Sequence, residues 1–157
     1  MFLLHRERGE RLREFRAVWV EGDDVVERAG VVGAEGPLTR TAVAAGQPPE
    51  VMMNAVLERA RGDGFEGKSI DELSHLAVRW GFDGEWLQAD DDDLEAIVER
   101  LHQALWVRGL GGADGSMVGD SVVVIDLSAV DANRAREVLT EALKATAVAE
   151  FATIGEV

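Results

Sequence analysis

The chain has 157 residues, of which 46% are hydrophobic and 29% are charged, and its formal net charge is −14. These proportions are typical of one globular domain or two small ones, and they argue against an intrinsically disordered chain. The sequence contains no cysteine, which excludes disulfides, thiol catalysis and thiolate metal sites.

The charge and the apolar runs indicate the setting of the protein. No apolar run reaches the roughly 18 residues of a spanning helix, and the opening MFLLHRER is too short for a secretory signal core. We therefore expect a cytoplasmic protein without a membrane partner. Residues 68–157 carry seven Lys/Arg against eighteen Asp/Glu, whereas residues 1–67 carry nine against twelve. The acidic second half suits solubility or a basic partner, and it disfavours nucleic acid, whose phosphates are bound by Lys and Arg.

The first half alternates short β-branched runs with turn residues. This pattern predicts a turn at 21–24, a glycine-containing bend up to residue 37, and a helix that starts after Pro48-Pro49, where the missing proline N–H costs nothing. The predicted elements are strands over 2–6, 12–20, 25–29 and 38–43 and a helix over 49–62.

Residues 14–36, EFRAVWVEGDDVVERAGVVGAEG, carry a family resemblance when they are continued to Gly64-Phe65. In order and spacing the segment resembles a WGR domain over roughly residues 2–66. The matching positions are Phe15, Trp19, Val20, Gly30, Val32, Gly33, Gly36, Gly64 and Phe65. The resemblance implies a sheet-plus-helix module at residues 1–66. WGR domains occur in poly(ADP-ribose) polymerases and bacterial regulators and bind nucleic acid or protein.

The two residues that name the WGR family are not retained. Ala29 and Val31 stand at the positions of the signature tryptophan and arginine, so the DNA-contacting role does not carry over at those positions. Gly30 is retained, and we expect it to meet a demand for backbone angles that other residues avoid.

A connector is predicted at residues 67–83. Ser69 and Glu72 fit a capping box, which predicts a short helix over 70–80 that ends at Gly81. Trp80, Phe82 and Trp86 then follow within seven residues. Rings of this size favour burial, so we expect them to fill the joint between the two halves. The alternative is an exposed aromatic platform for a partner.

Residues 84–157 predict a second, acidic domain. The pattern gives strand 84–89, helix 91–107, strand 108–118, strand 121–127, helix 131–145 and strand 148–155. This βαββαβ order is typical of a ferredoxin-like sandwich, so the predicted class of the whole chain is α+β. The aspartates at 90–93 suit a helix start, and Ser128 or Asp131 is the expected cap of the second helix.

We find no catalytic constellation in the sequence and expect no enzyme, cofactor or metal. The glycine-rich stretch 109–119 lacks the lysine of a phosphate-binding loop and fits a hairpin. His5, His75 and His102 lie in three different elements without metal-ligand spacing.

Two functions remain open. The first is a non-enzymatic module that binds a protein partner, with a basic partner as one option. Its candidate residues are Trp80, Phe82, Trp86, Asp90, Asp91, Glu95 and Asp120. The alternative is WGR-type nucleic-acid binding, and its candidate residues are Arg6, Arg11, Arg13, Arg16 and Arg40. A homodimer is possible if the final strand, with Phe151 and Thr153, is exposed at a sheet edge.

Overall fold

A computed structural model describes residues 1–9, 12–84 and 88–157 of the chain. The protein is α+β, with two antiparallel sheets and three helices in these ranges. Its contacts divide the chain into two units. Unit 1 comprises Met1–Ser69 and Val107–Gly109, and unit 2 comprises Ile70–Trp106 and Leu110–Val157.

Unit 1 contains a five-stranded sheet and one helix. The elements are β1 (Phe2–Arg8), β2 (Leu12–Glu21), β3 (Asp24–Val31), β4 (Leu38–Ala42), α1 (Pro49–Gly62) and β5 (Glu66–Gly67). The first four strands and the helix follow the predicted chain order, and the two-residue strand β5 is not among the predicted elements. The helix begins at Pro49, so the proline occupies the first helical position as expected. The strands lie in the spatial order β4-β3-β2-β1-β5.

Both faces of this sheet carry buried side chains along the central strands β2 and β3, whereas the edge strand β4 is exposed throughout. Val18 and Val25 pack with Leu57 and Phe65 against α1. Phe15, Ala17 and Val26 are buried on the opposite face. On that face the three residues 107–109 contribute backbone contacts to unit 1. The Gly33 N–H donates to the Arg108 carbonyl at 2.9 Å, and the Gly36 N–H donates to the Val107 carbonyl at 3.2 Å.

The ring of Phe15 is surrounded by three glycines. A Cβ on Gly30 would lie 3.2 Å from Phe15, one on Gly36 would lie 3.0 Å from it, and one on Gly109 would lie 2.1 Å from it. The expectation of unusual backbone angles at Gly30 is wrong, because Gly30 is not among the glycines with positive φ. The close approach of the Phe15 ring and of Gly36 explains the glycine there.

His5 is buried next to residues 107–109. Its Nε2–H donates to the Gly109 carbonyl at 2.8 Å, whereas its Nδ1 has no hydrogen-bond partner among the described residues. Burial lowers the pKa of His5 below its ordinary value of 6.5; the bond to Gly109 opposes the shift, and Arg13 adds to it. The folded protein therefore favours the neutral ring.

We expect the stability of the protein to fall as the pH drops below 6.5, the ordinary pKa of His5. In that range the unfolded chain takes up a proton that the folded chain does not bind, so the stabilising contribution is complete above this pH and is lost below it. Denaturant unfolding at a series of pH values measures the effect. His5→Gln keeps an N–H donor without titrating and should flatten this part of the curve. Equal curves for the parent protein and His5→Gln would contradict the assignment.

Unit 2 contains a four-stranded sheet and two helices. The elements are β6 (Ser74–Gly81), α2 (Gln88–Trp106), β7 (Gly111–Val118), β8 (Val122–Ala129), α3 (Ala132–Leu143) and β9 (Thr153–Glu156). One 3₁₀ turn, Ile70–Glu72, precedes β6. The strands lie in the order β7-β8-β6-β9, and all three strand pairs are antiparallel.

The helix predicted over 70–80 is wrong. Residues 74–81 form the strand β6, which pairs with all eight residues of β8. The physical reason is visible in the alternation of Leu76, Val78 and Trp80, which are buried, with the exposed His75 and Arg79. The predicted strand 84–89 is wrong at its end, because α2 begins at Gln88, and positions 85–87 lie outside the described residues.

The helices of unit 2 carry the apolar stripes that the sequence predicts. Leu94, Leu101 and Leu105 are buried along α2, and Leu139 and Leu143 are buried along α3. Of the two predicted caps, Asp131 begins α3, and its Oδ1 accepts the Arg134 N–H at 3.1 Å. None of the helices in the described ranges combines the length and the hydropathy that a membrane crossing requires.

Candidate functional site

A row of carboxylates follows one side of α2. Asp91, Glu95 and Glu99 are spaced four residues apart, which places them above one another on the helix. The buried stripe of Leu94, Leu101 and Leu105 turns the helix so that this acidic row lies beside the sheet rather than within the core. The local sequence thus produces both the packing of α2 and its acidic border.

These carboxylates line a groove of about 470 Å³ between α2 and β7. The apolar side chains of Leu94 and Val98 contribute to the lining from α2, and Ser116 and Val118 contribute from β7. Within the described part of the chain Glu95 makes no hydrogen bond or ion pair. Glu99 accepts a hydrogen bond from the Gln103 side chain at 2.9 Å. The groove therefore combines the carboxylates of α2 with apolar side chains from both α2 and β7.

His102 fixes the distance between α2 and β7 beyond the groove. Its Nδ1 accepts the Ala113 N–H at 3.2 Å, and its ring stacks on Trp106 at a centroid distance of 5.8 Å. The absence of a side chain on Gly112 permits this approach, because a Cβ there would lie 2.8 Å from the histidine ring. The helix and strand are thus held close at Gly112 and Ala113, and the groove lies farther along the strand, at Ser116 and Val118.

The structure brings together only part of the predicted acidic site. Asp91 and Glu95 line the groove, whereas Asp90 lies in the first turn of α2 and Asp120 lies exposed in the turn between β7 and β8, both outside the groove lining. The Gly119 N–H donates to the Val122 carbonyl at 2.8 Å and closes that turn.

The predicted aromatic platform is not assembled by the described residues. Trp80 is 7% exposed and opposes Val123 in the sheet, so its ring is not available to a partner as an exposed platform. Phe82 is half-buried just after the end of β6. Trp86 lies outside the described residues. Near the end of the chain, Phe151 is 67% exposed and Thr153 begins β9.

The four described arginines of the nucleic-acid alternative are divided between the two faces of the unit 1 sheet. Strand alternation and register place Arg6 and Arg16 on the α1 face and Arg13 and Arg40 on the other. Arg11 lies outside the described residues. The four arginines therefore do not form one basic patch.

Each of these arginines is also held by carboxylates of unit 1. The partners are Glu14 for Arg6, Glu7 for Arg13, Glu27 and Asp63 for Arg16, and Glu21 for Arg40. The hydrogen bond from Arg6 lowers the pKa of Glu14 from its ordinary value. The guanidinium groups of Arg6 and Arg16 also lie over the Phe65 ring, at 4.5 and 5.0 Å from its centroid.

One polar cluster, which sequence spacing does not reveal, lies on β6, β7 and β8. The Ser128 hydroxyl donates to Asp114 Oδ2 at 2.5 Å and lies 3.3 Å from His75 Nδ1. In a Ser-His-Asp relay the histidine lies between the other two groups, but here the serine does. The cluster therefore lacks the order that activates a serine. Among the described residues no group of three or more His, Asp or Glu is arranged to hold a metal ion.

Sequence reasoning did not assign five of the lining residues to a site, namely Leu94, Val98, Glu99, Ser116 and Val118; of these, Leu94 and Val98 were predicted only as part of the apolar stripe of α2. Glu99 was detectable, because it continues the four-residue spacing of Asp91 and Glu95. Ser116 and Val118 gave no signal, because their place beside α2 depends on long-range strand pairing. Comparison with protein-family models, with curated proteins and with solved structures finds no match to this chain, so the case for function depends on the geometry of this groove.

Proposed function

We propose that this chain is a non-enzymatic interaction module, and that the acidic groove of unit 2 binds a basic segment of a protein partner. The observation that carries the proposal is the row of Asp91, Glu95 and Glu99 beside the exposed strand β7. Lysine or arginine side chains of a partner would be attracted by all three carboxylates. The apolar side chains of the groove would add buried apolar surface to the complex.

The rest of unit 2 reinforces this attraction. Apart from the three carboxylates of the row, unit 2 carries fifteen Asp/Glu against five Lys/Arg. This excess of ten negative charges would steer a basic partner toward the unit and speed its association at low salt. A groove of this size is too small for a folded domain but suits a few side chains of a peptide. A short basic segment is therefore a better match than a second globular surface.

The proposal also assigns a fold type to each of the two units. We propose that unit 1 is a degenerate WGR-like domain, and its order of strands before a single helix supports this. We propose a ferredoxin-like arrangement for unit 2, supported by its element order and by the sheet order β7-β8-β6-β9. In this proposal the partner-binding role belongs to unit 2, because Ala29 and Val31 replace the signature residues in unit 1.

Nucleic-acid binding receives less support. The arginines Arg6, Arg13, Arg16 and Arg40 are paired with carboxylates and lie on opposite faces of one sheet. Phosphate binding would have to break these ion pairs and work against the negative charge of the whole chain. The protein-binding proposal requires neither change.

The proposal is tested with a fluorescein-labelled oligolysine peptide and the full chain. We expect an increase in fluorescence anisotropy at about 50 mM salt that is lost as salt screens the charges. Glu95→Lys should weaken binding by about tenfold, since it removes one attraction and adds one repulsion, a difference near 1.4 kcal/mol. An oligoglutamate peptide should not bind.

The matched control is Glu137→Lys. Glu137 is exposed on α3, and its replacement changes the net charge by the same amount at a position outside the groove lining. We expect it to change the affinity less than about twofold, because distant surface charges are largely screened. Equal losses in the two variants would show that net charge alone attracts the peptide, and would overturn the proposed site.

A further inference from the structure

The strand β7 forms one edge of the unit 2 sheet. It pairs with β8 on one side, and no other strand among the described residues pairs with its outer side. The N–H and C=O groups that point outward from such an edge form a template for another strand. Proteins commonly protect sheet edges with lysine, proline, a β-bulge or a short strand. The strand β7 has eight residues without lysine or proline, and the irregularity in its pairing with β8 lies between Ala113 and Gly115, so the part after it carries none of these devices except its short length.

A bulge divides β7 into two parts. The register shifts between Ala113 and Gly115, with Asp114 at the irregularity. Before the bulge the Ala113 N–H is already bonded to His102. After it, Gly115–Val118 pair regularly with β8, and their side-chain positions are exposed. The segment that is open to pairing is therefore Gly115–Val118, which also contributes Ser116 and Val118 to the groove.

The acidic row has nearly the same repeat as a β-strand. Residues four apart on a helix are separated by about 6 Å along its axis. Side chains on one face of a strand recur at every second residue, which is about 6.7 Å. Lysine or arginine at alternate positions of an added strand could thus approach Asp91, Glu95 and Glu99 in turn.

The opposite face of the added strand would have a different neighbour. Ser116 and Val118 share the groove face of β7, so Met117 lies on the other face by strand alternation, and it is 60% exposed. An apolar side chain between two basic ones would lie beside Met117. The carboxylates on one face of the added strand and Met117 on the other therefore specify the residue pattern of the partner segment as well as its charge.

We propose that β7 accepts a fifth strand, a partner segment in extended conformation with Lys or Arg at alternate positions and apolar or β-branched residues between them. Backbone hydrogen bonds to Gly115–Val118 provide the pairing, and the carboxylates of α2 select the basic side chains. This inference rests on the proposed function and adds the conformation and sequence pattern of the partner segment.

The experiment uses the full chain and a short peptide that alternates lysine and valine. Two versions of this peptide are methylated on the backbone. One carries the methyl group on the backbone amide nitrogen of every lysine, and the other carries it on that of every valine. Only alternate amides of an added strand face β7, so one methylated version should lose about tenfold or more in affinity while the other binds nearly as well as the parent. Amide exchange at Gly115–Val118 should slow when the parent peptide is bound.

The outcomes separate the two proposals. Equal binding of both methylated versions, with sensitivity to Glu95→Lys retained, would overturn strand addition while the acidic site stands. Binding of the parent peptide that is insensitive to Glu95→Lys, or no binding at all, would overturn the acidic site itself. A dimer in light scattering, with Gly115–Val118 already protected from exchange without peptide, would show that a second copy occupies this edge and would overturn the proposed partner.

Discussion

Replacement of Gly109 with alanine is expected to lower the free energy of unfolding by about 2–5 kcal/mol. Two costs combine at this position. Its φ is +62°, which an alanine adopts only with strain, and the new Cβ would lie 2.1 Å from the Phe15 ring. Phe15 is fully buried between Gly30, Gly36 and Gly109 and cannot move aside without displacing backbone. Thermal unfolding should show a midpoint lower by roughly 5–15 °C.

Gly22→Ala is the matched control for Gly109→Ala. Gly22 has the same φ of +62°, but nothing lies within 4 Å of an added Cβ. It should therefore report the backbone strain alone, about 1 kcal/mol. If both variants lost the same free energy of unfolding, the clash between the Phe15 ring and a Cβ at position 109 would contribute nothing. The account of the glycines around Phe15 would then be wrong.

The second large effect is expected from Gly111→Ala in β7. Here φ is +146°, and an added Cβ would lie 1.9 Å from the Ser128 carbonyl oxygen. The obstacle is backbone, so β7 has to move relative to β8. We expect a loss of about 2–4 kcal/mol, measured by denaturant unfolding, and faster amide exchange along β7.

Gly115→Ala provides the comparison within the same strand. Nothing lies within 4 Å of a Cβ at this position, and its φ is not positive. Its stability should remain within about 0.5 kcal/mol of the parent protein. A large loss at Gly115, or none at Gly111, would contradict the strand register on which the groove and the proposed fifth strand depend.

The elements of unit 1 could be predicted from the sequence because their signals are local. Alternating apolar residues, the turn at 21–24 and Pro49 each act within a few positions, and β1 to β4 and α1 lie where these signals place them. The short strand β5 is defined only by its pairing with β1 and gave no such signal. The role of residues 107–109 could not be predicted, because they follow α2 in the chain yet bond to Gly33, Gly36 and His5 of unit 1. No local pattern encodes a contact of that sequence separation.

The error over residues 70–80 has a specific cause. The capping-box pattern at Ser69 and Glu72 is real in sequence, but it leads only into the 3₁₀ turn Ile70–Glu72. The period-two burial of Leu76, Val78 and Trp80 is the stronger signal, because eight paired residues of β8 stabilise the extended form. The pairing of β6 with β8 therefore outweighed the helix-start signal, which was not followed by an amphipathic helical pattern.

Part of the candidate site could be predicted from the sequence. Composition pointed to the acidic second half, and two of the four acidic residues chosen there, Asp91 and Glu95, line the groove. The groove also needs the edge position of β7 and the anchoring of α2 by His102. Both depend on which strands pair, which a single sequence does not state.

The assignment of Val107–Gly109 to unit 1 has a practical consequence for anyone who divides this protein into fragments. Unit 1 is discontinuous, so a single cut after Ser69 cannot release it whole. A fragment that stops there would leave the amides of Gly33 and Gly36 and the ring of His5 without the carbonyls they bond to, and would open a void beside Phe15. A fragment that keeps unit 1 intact must include Val107–Gly109, joined to the first 69 residues by a linker.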